Sequence, residues 1–331
     1  MARPLVLVTY DADPATRAVF KATLGAIADL AYLTDAAQIN RGTLLERAEA
    51  VVTWSPARDL RREEFRRLTR TRFVQLLTVG VDHVPFDWLP AGAIVAKNAG
   101  AFSTAIAEHT VAMALAAAKR LIPQHAKLVA GEFDMMSRNR VLAGGTCALI
   151  GYGSLGRSVA RLMRGLGLEI AAINRSGTTA DPVAFAGTLA DLEPALARAD
   201  VVVVALPLTP ATQGLIGARE LGWMKDDAIL VNIARAHIVD EDALYARLVR
   251  TPTFQACLDV WWVEPYRDGV FRMKHPFLEL GNVLGSPHNS SVVVGGLEEA
   301  VQLGADNVRR FLATGAYDYL VPDDERMPLA V

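Results

Sequence analysis

Three side chains able to carry a proton or a charge follow short apolar runs in the second half of the chain. Arg235 comes after 228–233, Glu264 after the run ending at Asp259 and Val260, and His288 after Val283 and Leu284. Histidine titrates near neutrality, so His288 suits a group that exchanges a proton with a reacting oxygen. A carboxylate such as Glu264 would hold the second ring nitrogen and stabilise the imidazolium. A planar guanidinium such as Arg235 can clamp a carboxylate through two parallel hydrogen bonds, where lysine offers a point charge. Each residue also has a plain structural reading: Arg235 pairs with Asp240, Glu264 caps the turn at Pro265, and His288 is a loop histidine. Their shared position, just past the ends of predicted parallel strands, favours chemistry, because open α/β sheets bind ligands at those ends.

Upstream lies the stretch 147–176, CALIGYGSLGRSVARLMRGLGLEIAAINRS. It reads as a buried strand, a turn with Gly151, Gly153 and Gly156 in G-x-G-x-x-G spacing, a helix, and a second strand over 168–173. The glycines would serve a tight turn, close backbone approach to a pyrophosphate, and helix-on-strand packing. The helix N-terminus would offer free N–H groups and the positive end of its dipole. The motif alone is a weak signal; its place between strand and helix predicts a dinucleotide site. Hydride transfer between a nicotinamide and a carbonyl carbon needs an acid/base on the oxygen, the part His288 would take. Asn174 stands about 20 residues past the first glycine, where an NAD site carries an acid for the ribose 2′-OH. A neutral Asn would not repel a 2′-phosphate, and Arg175 and Ser176 can hydrogen-bond one. The expected cofactor is therefore NADP(H) in preference to NAD(H); a solvated polar turn is the other reading.

The elements that must position these groups alternate between strand and helix. Strands are expected at 5–9, 50–54, 73–78 and 93–96, with helices at 15–28, opened by Asp13-Pro14, and at 60–68. In the turn 78–84 the backbone N–H groups at Val79 and Gly80 are ligand candidates, while Asp82 and His83 either cap the turn or bind. Residues 103–121 are alanine-rich and apolar nearly all round, predicting a helix buried in the fold or at a subunit contact. Glu108 and His109 within it read as a satisfied structural pair. Residues 131–145 read as irregular. Beyond Ser176, helices are expected at 189–198 (capped by Asp191), 221–224, 241–249 (capped by Asp240) and 295–313, with strands at 200–206, 228–233, 254–260 and 283–284. Trp261 and Trp262 read as core, or as walls of a pocket.

The chain has 331 residues, enough for two domains, and a net charge of −2, with no general pull toward nucleic acid or a membrane surface. The basic run 58–72 alternates with Glu63, Glu64 and apolar residues and reads as the solvated face of a helix. Cys147 and Cys257 fall in apolar strands, implying buried thiols and no disulfide framework. No apolar run approaches the ~20 residues that span a bilayer, and the N-terminus shows no signal-peptide pattern, so the expected location is the cytoplasm. No metal site is expected.

Seven segments occur in order: VGVDHV (79–84), AEHT (107–110), LIGYGSLGRSVA (149–160), LPLTPATQGLI (206–216), LVNIARAHIVDEDAL (230–244), LDVWWVEP (258–265) and SPHNS (286–290). In these the chain resembles the D-isomer-specific 2-hydroxyacid dehydrogenases over about residues 77–291. The resemblance implies that Arg235 binds a substrate carboxylate, that His288 is the acid/base with Glu264 as its partner, and that Val79 and Gly80 offer backbone N–H groups. It implies that the cofactor lies against Gly151, Tyr152, Gly153, Ser154, Leu155 and Gly156, with Asn174, Arg175 and Ser176 at its ribose. Leu206, Pro207, Thr212, Ile233, Ala234, Asp259 and His288 would complete the cofactor site, Asp259 near the nicotinamide carboxamide. The implied architecture is α/β: a Rossmann domain (99–285) inserted in a smaller flavodoxin-like substrate domain (1–98 and 286–331), usually a homodimer with its contact after Asn98. The implied reaction is reduction of a small 2-oxo acid, of glyoxylate or hydroxypyruvate type, to the D-2-hydroxy acid. Alternatives within the resemblance are dehydrogenases of formate or phosphite, and NAD(P)H-sensing corepressors. Formate-type relatives carry Gln at the position of Glu264. The chain departs from the family pattern at Asn174, and at Ala236-His237 where Gly-Gly or Gly-Asp is common.

Overall fold

The computed structural model describes residues 3–327. The chain divides into two compact units, one of residues up to Phe102 together with those from Val292 onward, the other Ser103–Ser291. The boundaries expected from the sequence fall a few residues earlier at each crossing, so the SPHNS segment with His288 belongs to the second unit.

In the first unit, β1 (Leu5–Val8), β2 (Asp29–Tyr32), β3 (Ala48–Thr53), β4 (Phe73–Leu76) and β5 (Ile94–Ala96) lie parallel in the order β2-β1-β3-β4-β5. That is the flavodoxin-like order. Val6 and Val8 face Phe20 and Leu24 of the helix Pro14–Leu24, and Val301, Val308 and Phe311 of the helix Gly296–Thr314. Leu7, Val51 and Val74 face a second cluster with Leu45, Phe65 and Leu68. Both faces are covered, which is why these strands read as apolar runs rather than alternating ones. Asp13 caps the first helix, accepting from Thr16 N at 2.7 Å, with Pro14 opening it.

Four features of this unit depart from expectation. The edge strand β2 buries none of its residues, and the helix Gln38–Arg47 is polar around the buried Leu45, so neither leaves a periodic signal. The segment 60–68 is no α-helix: a single turn, Pro56–Asp59, precedes the 3-10 segment Arg62–Arg67. Glu64 is also not on a solvated face. Arg41 draws its carboxylate inward (Nε–Oε1 2.5 Å), and Arg61 N donates to it at 2.9 Å, tightening the turn.

In the second unit, β6 (Thr146–Ile150), β7 (Glu169–Ile173), β8 (Phe185–Gly187), β9 (Val201–Val204), β10 (Ile229–Asn232), β11 (Gln255–Leu258) and β12 (Val283–Gly285) form a parallel sheet. Its order is β12-β11-β10-β9-β6-β7-β8, a doubly wound sheet whose direction reverses between β6 and β9. The helix Ser154–Gly165 buries Gly156, Val159, Ala160 and Met163, one stripe at helical spacing, against Cys147, Leu149 and Val203. The helix Ser103–Ala118 packs beside it through Ala107, Met113, Ala114 and Ala117. It buries one face rather than its whole circumference: Thr104, Glu108 and Ala112 are exposed. A further helix without a clear signal, Leu121–Val129, follows and buries none of its residues. The short edge strand β8 was likewise unforeseen. The helix expected over 189–198 opens as a 3-10 turn, Leu189–Asp191, with the α-helix proper at Leu192–Arg198. Among the described residues, no helix is long and apolar enough to cross a membrane, and no group of three His, Cys, Asp or Glu could hold a metal.

Candidate active site

Register brings the important strand ends of the second unit level with one another. Ile150 pairs with Val204, Val204 with Asn232, Asn232 with Leu258, and Leu258 with Gly285. Every segment carrying a candidate residue of this unit after β6 thus leaves the sheet on its carboxyl edge, where side chains and backbone N–H groups of open α/β sheets meet ligands.

At the reversal between β6 and β9, Gly151 has φ +109°, and a Cβ there would stand 2.5 Å from Ala205 O. A Cβ on Gly156 would lie 2.2 Å from Gly151 O, so helix and turn close together only without one. A Cβ on Gly153 would meet nothing within 4 Å: this glycine borders open space and opens the helix as its N-cap. Two glycines required by packing and one facing outward at a helix N-terminus fit a dinucleotide pyrophosphate. Tyr152 is buried, Ser154 exposed and Leu155 half-buried beside them. Past β9, Leu206 and Pro207 begin a loop that Thr212 closes: its hydroxyl donates to Pro207 O at 2.7 Å and accepts from Thr209 N at 2.8 Å. Ile233 and Ala234 are buried just beyond β10.

At the end of β7 the side chain of Asn174 turns onto its own loop. Its Nδ2 donates to Thr178 O (2.8 Å), while Oδ1 accepts from Gly177 N (2.7 Å) and Ser176 Oγ (3.1 Å). Asn174 therefore shapes the loop as well as withholding a negative charge, and it leaves Arg175 and Ser176 exposed at the surface.

Glu264 and His288 are brought together. His288 Nδ1 lies 2.8 Å from Glu264 Oε2, and Glu264 Oε1 accepts from Trp261 N at 2.6 Å. Glu264 is buried, whereas the His288 side chain keeps 30% of its surface. A carboxylate only accepts, so Nδ1 carries the proton and Nε2 is the nitrogen left to exchange one with a ligand. Asp268 Oδ2 accepts from Glu264 N at 2.8 Å, and this bond holds the Asp268 carboxyl below the usual carboxylate range. Tyr266 meets the His288 ring edge to face at 5.5 Å. On β10, the buried Asn232 ties the next turn by accepting from Ala234 N and donating to Arg235 O, both at 3.1 Å. Arg235 Nη1 donates to Ala234 O at 2.8 Å.

Asp259, read from the resemblance as a cofactor contact, is completely buried. Its carboxylate accepts from Ser286 Oγ (2.5 Å), Asn289 N (3.2 Å) and Ser290 N (3.2 Å), a role in holding the His288 loop that local pattern did not reveal. Trp261 adds to that hold, its Nε1 donating to Ser286 O at 2.9 Å. Trp261 and Trp262 are both core; Trp262 stacks on Phe277 and donates to Val239 O. Glu108 and His109 do not form the expected buried pair. On a helix, consecutive residues point apart: Glu108 is exposed, and His109 Nε2 lies 3.0 Å from Ser286 Oγ.

In the first unit, Val79 and Gly80 are half-buried just past the carboxyl end of β4. Beside them the hydroxyl of Thr78 is buried with no hydrogen-bond partner among the described residues; Tyr10, just past the end of β1, meets Trp54 edge to face, and burial pushes its hydroxyl up. His83 Nε2 lies 3.0 Å from Trp54 O, which ties the turn to β3.

A family model, "D-isomer specific 2-hydroxyacid dehydrogenase, NAD binding domain", matches residues 111–290. A glyoxylate reductase of Thermococcus gammatolerans is 33% identical over 287 residues, 83% of this chain and 84% of the relative. A glycerate dehydrogenase of Methylorubrum extorquens is 31% identical over 267 residues, 77% of this chain and 80% of the relative. A solved glyoxylate reductase from Paecilomyes thermophila matches with a TM-score of 0.80 at 23% identity, over 98% of this chain and 99% of that one, a likeness of fold.

Proposed function

Because the chain belongs to the D-isomer-specific 2-hydroxyacid dehydrogenases, NAD(P)-dependent oxidoreductases, we propose that it reduces a small 2-oxo acid of glyoxylate or hydroxypyruvate type to the D-2-hydroxy acid, with NADP(H) preferred over NAD(H). The observation that carries the reading is the Glu264–His288 pair on the same sheet edge as the glycine loop. When bound, the nicotinamide supplies or takes the hydride. His288 gives its Nε2 proton to the carbonyl oxygen as the hydroxyl forms, and Glu264 stabilises the imidazolium beforehand and orients the ring. Arg235 takes the substrate carboxylate bidentately and polarises the neighbouring carbonyl. Gly151, Gly153 and Gly156 would hold the dinucleotide, and Arg175 and Ser176 would hydrogen-bond its 2′-phosphate.

We further propose a cytoplasmic homodimer. Two free, buried cysteines suit a reducing compartment. The helix Leu121–Val129 has no fully buried residue, and Leu128, Val129, Phe133 and Met136 are exposed on it and the segment after it. Such a surface gains stability when a second copy covers it.

The test is loss of absorbance at 340 nm with glyoxylate, hydroxypyruvate and a bulkier 2-oxo acid, each with NADPH and with NADH. Faster turnover with NADPH supports the whole reading. Faster turnover with NADH overturns the cofactor preference and keeps the enzyme. Tight nucleotide binding with no turnover of any acid favours the sensing alternative. Arg175→Ala should weaken NADPH and leave NADH nearly unaffected; equal losses would remove Arg175 from the 2′-phosphate.

A further inference from the structure

We propose that His109 is a positioning residue for His288, acting through Ser286 and Asp259 on the loop that carries the acid/base. The inference rests on the reading of His288 given above. The chain of contacts is continuous: His109 Nε2 to Ser286 Oγ at 3.0 Å, Ser286 Oγ to Asp259 Oδ1 at 2.5 Å, and Asp259 to the backbone N–H groups of Asn289 and Ser290 at 3.2 Å. Proton inventory sets its direction. A serine hydroxyl has one hydrogen, and the carboxylate, which only accepts, takes it. Ser286 Oγ must then accept from His109, whose Nε2 carries hydrogen whether the ring is neutral or charged. His109 Nε2 also lies 3.7 Å from Asp259 Oδ1, so ring and carboxylate converge on the same serine hydroxyl.

The loop needs such support. His288 has φ +53°, a left-handed conformation that a residue with a side chain adopts only when its surroundings impose it. The two amides held by Asp259 immediately follow it, and Ser286, two residues before it, is bonded to the same carboxylate. The start of the loop has its own anchors, Ser286 N to Leu258 O and Trp261 Nε1 to Ser286 O, both 2.9 Å. Loss of His109 should therefore loosen residues 288–290 without unfolding the segment. Ring placement matters because a shift of about 1 Å in a reacting group can cost ~100-fold in rate.

The experiment compares His109→Ala, His109→Gln and Ser286→Ala by steady-state kinetics and by hydrogen exchange of the Asn289 and Ser290 amides. His109→Ala should lower kcat about tenfold or more, change the nucleotide KM by less than about twofold, and speed exchange at both amides. Gln places an N–H donor close to the position of histidine Nε2, so His109→Gln should recover most of the rate and protection; general loss of packing would not be rescued this way. Ser286→Ala should reproduce the alanine phenotype from the other side of the bond. Wild-type exchange in both His109→Ala and Ser286→Ala overturns the proposal, as does a glutamine variant no better than alanine. Exchange is read without turnover, so a protein that reduces no 2-oxo acid would sink the functional reading, and the amides would still decide the positioning role.

Discussion

His288 and Glu264 illustrate how much chemistry a single buried carboxylate can direct. With Oε1 engaged by Trp261 N and Oε2 by His288 Nδ1, Glu264 has little freedom to rotate, and the imidazole presents Nε2 outward. Arg235 stands past the adjoining strand, β10, in the position proposed for the anion clamp. The two roles separate kinetically. His288→Ala should depress kcat by about 10²–10⁴-fold, the usual worth of a positioned acid/base, while nucleotide binding survives. Arg235→Ala should instead raise the KM for the 2-oxo acid by about tenfold to a hundredfold, as expected for losing a charge-assisted bidentate contact. Steady-state kinetics over a range of acid concentrations distinguish them, and an unchanged KM would exclude Arg235 from carboxylate binding.

At the scale of elements, the sheet of the second unit aligns its carboxyl ends, so the site depends on register as much as on side chains. Asp200, just before β9, helps fix that register. It accepts from Thr146 N at the start of β6 (2.8 Å), from Arg140 (2.5 Å) and from Lys225 (3.0 Å). Burial alone would raise its pKa, but the bonds from Thr146 N and Lys225 and the charge of Arg140 outweigh it and hold the carboxyl below its ordinary value. A depressed folded-state pKa means stabilisation that is complete above the unfolded-state pKa and disappears as pH falls through the folded one. Asp200→Asn should thus lower stability at pH 7 by about 1–2 kcal/mol, roughly 3–6 °C in Tm, and the gap should narrow below about pH 4. Thermal melts at both pH values test this; an undiminished gap at low pH would show that the charge of Asp200 is not what stabilises.

For the molecule as a whole, the exposed apolar surface on the helix Leu121–Val129 and the segment after it is the feature that a monomer leaves unexplained. Val129 and Phe133 are 75% and 79% exposed, large apolar side chains with little cover in their own chain. Light scattering should give twice the chain mass, and Val129→Asp combined with Phe133→Asp should give the single-chain mass with an unchanged circular dichroism spectrum. A wild-type protein that scatters as a monomer at micromolar concentration would refute the dimer.

What the sequence determined by itself was local: the glycines of 151–156, whose spacing follows from backbone geometry within one turn, the β-branched strands, and three charged residues just past strand ends. A short apolar run and the residue that follows it are contiguous in the chain, so their order is readable before folding. The polar edge strand β2, the helix Gln38–Arg47 and the inward turn of Glu64 left little trace, because tertiary partners rather than periodicity hold them. Only the folded chain decided that Glu108 faces out while His109 reaches Ser286, 177 positions away, and that Asp259 holds the loop of His288. Those contacts arise where helix packing and strand register bring distant segments together, and nothing in the neighbourhood of either residue encodes its partner.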